Sequence, residues 1–207
     1  MNMELFKTLK ENWDKDGHRR YHDRDYHQNY LHPSGSFKRK VDLLTPLLSL
    51  FQDRIVVDIG SNVGIITYEI AWYAKKYIGV EIWDDAYKQS LFVQKYIEKE
   101  GVFLNQSMEE FLSKNEYDYN AAYAGNVLYY FTDKEVKLME DVMLPKCKIV
   151  IFLSCEEKKY ETEVEPPIRN DLYNTESLKD ILKKSGFSVE VIATKEVPLN
   201  AVVGKRN

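Results

Sequence analysis

Asp58, Gly60, Gly64 and Glu81 are the residues of this chain whose types and spacing suggest chemistry. Asp58 lies near the end of the β-branched run Arg54-Ile-Val-Val-Asp-Ile59, and Gly60 and Gly64 frame the turn Gly60-Ser61-Asn62-Val63-Gly64. Near-continuous Val/Ile runs are typical of buried strands in parallel sheets. After the turn, Val63, Ile66, Ile70 and Tyr73 recur at helical spacing. A strand–turn–helix junction aims free backbone N–H groups at a ligand, and glycines there permit positive φ and keep Cβ atoms out of its path. Glu81 closes a second short run, Tyr77-Ile-Gly-Val-Glu81, 23 positions after Asp58. An acidic residue about 20 positions beyond a glycine turn is placed to accept hydrogen bonds from ribose hydroxyls. Together these residues describe a nucleotide-type cradle.

Two details narrow the ligand. The dinucleotide fingerprint needs Gly-x-Gly-x-x-Gly, its second glycine clearing space for a pyrophosphate. Here Asn62 stands near that position and Asp58 precedes the turn, where a carboxylate repels phosphate and suits an amino group. A cofactor with adenosine at one end and an amino acid at the other meets both demands. S-adenosyl-L-methionine is such a cofactor.

The elements that must position these residues alternate along the chain. Strands are expected at 55–59, 77–81, 102–104, 119–123, 148–153, 187–193 and 200–205. Helices are expected after Gly64, from Asp84 to before Gly101 with Tyr87, Ser90, Val93 or Gln94, and Ile97 on one side, from Ser107 through Leu112, from Thr132, and at 175–185. Ser107 with Glu110, and Thr132 with Glu135, have capping-box spacing, and Met139 and Met143 continue an inward face from Val136. A helix is also expected after Ser34, carrying Phe37, Val41, Leu44, Leu47 and Leu48, with a kink or restart at Thr45 because Pro46 follows. Such alternation predicts an α/β fold: a mostly parallel seven-stranded sheet between helical layers, ending in an antiparallel edge hairpin.

Upstream, Leu5, Phe6, Leu9 and Trp13 share one helical face. Residues 14–40 then hold all four histidines among arginines and tyrosines, with almost no aliphatic side chains. Such a segment cannot form its own core, so residues 1–40 are read as a helical, His-Tyr-Arg-rich cap on a domain at 41–207. Residues 156–174, charged and containing Pro166-Pro167, read as a loop or lid. No run is long and apolar enough to span a bilayer, and Met1 to Lys7 lacks a secretory signal's core. Cys147 and Cys155 read as buried free thiols, and the expected location is cytoplasmic. A net charge of −4 argues against broad phosphate-backbone binding while allowing a local basic patch.

With these pieces in place, the chain resembles a class I S-adenosylmethionine-dependent methyltransferase from about Val41 onward. The residues that carry the likeness are Val57-Asp-Ile-Gly-Ser-Asn-Val-Gly64, Gly79-Val-Glu81, Gln106-Ser-Met-Glu109, Tyr117-Asp118 to Asn126-Val-Leu-Tyr-Tyr-Phe131, the strand at 149–153, and Lys184-Ser-Gly-Phe187. The resemblance implies a Rossmann-like three-layer sandwich and S-adenosyl-L-methionine as cofactor. It implies that the loop Gly60, Ser61, Asn62, Gly64 passes under the methionine part and that Asp58 orients its amino group. Glu81 would bind both ribose hydroxyls, with Ile82 or Trp83 against the adenine and Met108 or Glu109 at its other edge. Asn126 would stand beside the sulfonium. Asn62 departs from the commoner glycine, but asparagine tolerates left-handed geometry.

For methyl transfer, the protein must mainly position the acceptor and remove its proton. His27 and His32 are the preferred bases because imidazole titrates near neutrality, although the same histidines suit a solvated surface. His18 and His22 stand four apart, but no third metal ligand is specified, so no metal is expected. Tyr129, with Tyr130, either lines the acceptor pocket or packs. The expected acceptor is an oxygen or nitrogen of a small molecule or sugar-type metabolite. The alternative enzyme is a tRNA-type RNA methyltransferase, gripping phosphates with His18-Arg-Arg-Tyr-His22 and Lys38-Arg-Lys40. The other class is a binding module that kept the fold without catalysis, and an NAD-dependent oxidoreductase stands behind both. The motif Asn/Asp-Pro-Pro-aromatic, typical of methylation at base amino groups, is missing. The chain leaves monomer and homodimer open.

Overall fold

The computed structural model describes residues 36–155, 174–193 and 199–207, together with Leu5, Lys7 and Thr8. Alternating strands and helices give β1 (Ile55–Ile59), α2 (Ile65–Ala71), β2 (Lys76–Glu81), α3 (Asp84–Gln94), β3 (Gly101–Asn105), α4 (Met108–Lys114) and β4 (Ala121–Gly125), preceded by α1 (Ser36–Leu44). There follow α5 (Asp133–Leu138), a π-helical turn at Met139–Met143, α6 (Leu144–Lys146), β5 (Ile149–Cys155), α7 (Thr175–Lys184), β6 (Ser188–Ala193) and β7 (Leu199–Lys205). The seven strands lie in the order β3-β2-β1-β4-β5-β7-β6. Strands β1 to β5 pair in parallel, and β7 runs antiparallel between β5 and β6.

The three layers follow from strand alternation. Val56 faces a core shared with α1, α2 and α3, through Leu44, Ile66 and Val93. Its neighbour Val57 faces the opposite core, with Phe111 of α4, Met139 and Met143 beyond α5, and Leu178 of α7. The order of strands reverses between β1 and β4, so their carboxyl ends open a crevice there. Asp58, Gly60 and Gly125 stand at that crevice because β1 and β4 run in register, Asp58 beside Tyr123 and Ile59 beside Ala124.

Several local expectations change in detail. The fourth strand is Ala121–Gly125, not 119–123. Asn120 makes the difference: its side-chain oxygen accepts the Ile55 N–H at 3.1 Å and its own N–H donates to the Ile55 carbonyl, so ladder pairing begins only at Ala121. Tyr119 still packs, stacked on Phe111, which explains why it reads as strand. Helix α3 stops at Gln94 and turns Ala86, Gln89, Ser90 and Val93 inward, while Tyr87 is only half-buried and Ile97 lies beyond the helix. Pro46 ends α1 at Leu44, and the chain continues as a 3-10 helix over Thr45–Phe51, the Thr45 hydroxyl donating to the Val41 carbonyl.

Both capping boxes form, Ser107 with Glu110 and Thr132 with Glu135. The substitution Ser107→Ala removes the acceptor for the Glu110 N–H and is expected to cost about 1 kcal/mol. Thermal melting checks this, and an unchanged melting temperature would show that Glu110 holds the helix end alone. Cys147 is buried, and burial pushes its thiol up to about 12, so it is inert. The side chain of Cys155 lies outside the described residues, as do His18, His22, His27, His32 and the segment 156–173. Among the described residues no helix is long and apolar enough to cross a membrane.

Candidate functional site

The turn after β1 uses three left-handed residues in five: Gly60 at φ 69°, Asn62 at 52° and Gly64 at 83°. Gly60 and Ser61 donate their N–H groups to the Val80 carbonyl at 2.9 and 3.0 Å, which ties the turn to β2. The glycines also make room for the protein itself. A Cβ on Gly60 would lie 2.6 Å from a Val127 methyl, and one on Gly64 would lie 2.7 Å from the Phe103 ring. Sequence reading assigns that space to a ligand; much of it belongs to side chains that follow β4 and sit on β3.

Glu81, 6% exposed, spans the gap between β2 and the turn. Its Oε2 accepts the Asn62 N–H at 2.8 Å and its Oε1 accepts the Trp83 N–H at 2.9 Å. Burial raises its pKa, and the backbone N–H groups of Trp83, Asn62 and Ile82 oppose the rise. A carboxylate has about four acceptor positions, so Glu81 keeps capacity for a further donor beyond these backbone bonds. Asp58 is 2% exposed and accepts the Thr67 hydroxyl of α2 at 2.6 Å. Burial pushes its carboxyl up to about 7, against the pull of the Thr67 bond and of the Lys40 charge.

Lys40 is the site residue that sequence reading places wrongly. By charge it groups with Lys38 and Arg39 as a basic surface cluster, yet Lys40 is 8% exposed while Arg39 is exposed. Its ammonium reaches the Gly125 carbonyl at 3.4 Å, and burial lowers its pKa to about 8, with Asp58 opposing. The signal is present in the sequence: Lys40 stands three and four positions before Leu43 and Leu44, on the apolar face of α1.

Two side-chain oxygens on the loops after β1 and β4 are buried without a hydrogen-bond partner, Ser61 Oγ, close to Gly79 of β2, and Asn126 Oδ1 after β4. Asn126 also holds φ at 59°. Buried polar atoms are almost always satisfied, so these two are open acceptors where a polar ligand fits. Ile82 and Trp83, after β2, expose their side chains beside Glu81. Met108 is buried in the core beneath α4, and Glu109 pairs with Lys134 at 2.6 Å. Tyr129 is buried against Tyr130, ring centroids 4.4 Å apart. The structure thus brings Asp58, Gly60 to Gly64, Glu81 and Asn126 to one edge of the sheet, with Lys40 added. The preferred bases His27 and His32 lie outside the described residues.

No family model matches the sequence, and no curated protein is similar to it. Solved structures do share its fold. Magnesium protoporphyrin IX methyltransferase from Synechocystis PCC 6803, with bound S-adenosylmethionine, superposes with a TM-score of 0.63 at 12% identity, over 98% of this chain and 97% of that one. The N-methyltransferase NodS from Bradyrhizobium japonicum WM9 gives 0.65 at 15% identity, over 84% and 99%. A protein from Pyrococcus horikoshii, proposed to methylate RNA, gives 0.61 at 12% identity, over 100% and 99%. The chain has the fold of the class I S-adenosylmethionine-dependent methyltransferases.

Proposed function

We propose that this protein is an S-adenosylmethionine-dependent methyltransferase acting on an oxygen or nitrogen of a small-molecule or sugar-type acceptor. One arrangement carries the reading: two buried carboxylates, Asp58 and Glu81, stand at the carboxyl ends of adjacent parallel strands around a left-handed turn, with the open acceptors Ser61 Oγ and Asn126 Oδ1 on the loops after β1 and β4. Glu81 takes the ribose hydroxyls on the lone pairs its backbone bonds leave open. Ile82 and Trp83 offer apolar surface to the adenine, and Asp58 receives the amino group. Once bound, the cofactor supplies a methyl group already activated by a positive sulfur, so the protein must align the acceptor and take up its proton. The acceptor lies over the ends of β4 and β5, where Tyr129 forms part of the wall. His27 or His32 is the base of this reading.

Burial of Lys40 removes one charge from the basic cluster that favours RNA, and so favours the small acceptor. Titration calorimetry tests the donor. S-adenosylhomocysteine is expected to bind with a Kd of about 1–100 μM, and NAD to give no heat. Absence of S-adenosylhomocysteine binding would reduce the chain to a module that retains only the fold.

A further inference from the structure

The carboxyl end of the sheet carries two buried charges of opposite sign, and only one has a role in the reading above. Asp58 stands on β1, and Lys40 reaches across from α1 to the carbonyl of Gly125, the last residue of the neighbouring strand β4. The crevice between β1 and β4 thus has a carboxylate on one wall and an ammonium on the other, each less than a tenth exposed. On the loops that follow the two strands, Ser61 Oγ and Asn126 Oδ1 are buried without a hydrogen-bond partner.

A lone ammonium entering this crevice gains from Asp58 and is repelled by Lys40; a lone carboxylate meets the reverse. A ligand end carrying both charges on one carbon satisfies both walls and leaves the site neutral. Resting on the cofactor reading above, we propose that Lys40 and Asp58 form a receptor for a zwitterion: Asp58 binds the cofactor's α-ammonium, and Lys40 binds its α-carboxylate. Lys40 is then a cofactor-binding residue supplied by the helix before the sheet. It makes the amino-acid end a condition of tight binding.

The test is a cycle of two proteins and two ligands read by calorimetry: wild type and Lys40→Met, with S-adenosylhomocysteine and with its decarboxylated analogue, which keeps the adenosine, the sulfur and the amine. Wild type is expected to prefer S-adenosylhomocysteine by about tenfold or more, the scale of one charge-assisted hydrogen bond. In Lys40→Met that preference collapses to about twofold or less, while the decarboxylated analogue, freed from the repulsion of Lys40, binds at least as tightly as before and shows the site to be intact. A preference that survives the substitution overturns the inference. So does tighter binding of S-adenosylhomocysteine by Lys40→Met, which would mean that Lys40 competes for the ammonium's place. If Lys40→Met binds neither ligand, Lys40→Arg must still prefer the carboxylated one, and loss of that preference overturns the inference equally. Wild type binding neither ligand would instead defeat the cofactor reading itself.

Discussion

Glu81→Ala is expected to raise the Kd for S-adenosylhomocysteine by about a hundredfold or more and to lower stability at the same time. The two effects share one cause. In the folded chain the Glu81 carboxylate joins the N–H of Asn62, inside the turn, to the N–H of Trp83, after β2. Alanine leaves both donors without an acceptor, at a cost of about 1–3 kcal/mol for each that stays buried. The turn can recover by opening toward water, but it then loses the left-handed geometry at Asn62 that the cradle depends on. Binding loses the ribose contacts as well, since two charge-assisted hydrogen bonds correspond to about a hundredfold. Glu81→Gln separates the contributions. It keeps one carbonyl acceptor but turns an NH2 toward the other N–H, so the melting temperature should lie between wild type and Glu81→Ala. Calorimetry and thermal melting read the two losses. Wild-type affinity in Glu81→Ala would place the cradle elsewhere.

This double duty marks the limit of what is legible in the sequence. Local patterns carry the fold well. The run ending in Ile59, the capping boxes at Ser107 and Thr132, and Gly186 after α7 each encode their own element through neighbours in the chain. The strand-end position of Glu81 can be counted from Asp58 for the same reason. What lies hidden depends on contacts between distant segments. Phe103 of β3 packs where a Cβ on Gly64 or Gly79 would sit, and Val127 does the same for Gly60, so these glycines answer to partners that spacing cannot name. The start of β4 is misplaced from sequence because tyrosine favours strands, whereas the register is set by Asn120 meeting Ile55 across 65 positions. Lys40 groups by charge with its neighbours in sequence, although helical periodicity turns it toward Asp58 and away from Arg39. Charge clusters read from sequence assume a common surface, and a helix divides them every second or third residue.

Asp58 is expected to make cofactor binding depend on pH, and in the direction opposite to its effect on stability. Its carboxyl is raised from the ordinary 3.8 to about 7, so between these values the folded chain holds a proton that the unfolded chain releases. The stability it contributes is complete below about pH 4 and is lost as pH rises through about 7. Lys40, lowered from 10.5 to about 8, behaves conversely: its contribution is complete above about pH 10.5 and is lost as pH falls through about 8. The protein therefore carries both burdens near neutrality, where both groups are charged, which suits a site poised to receive a charged ligand. Thermal melting of wild type beside Asp58→Asn isolates the first limb. The substituted amide cannot ionise, so the variant should gain on wild type between about pH 4 and 7, by an amount of the order of a few kcal/mol. Affinity should move the other way. Only the ionised carboxylate attracts the cofactor's ammonium, so the Kd for S-adenosylhomocysteine should fall by up to about tenfold for each pH unit from 5.5 towards 7, then level off. Asp58→Asn should bind weakly with a flat profile over that range, because the neutral amide attracts the ammonium equally at every pH. A flat profile in wild type would remove Asp58 as the ammonium's receptor and leave its buried charge as a partner of Lys40 and Thr67 alone.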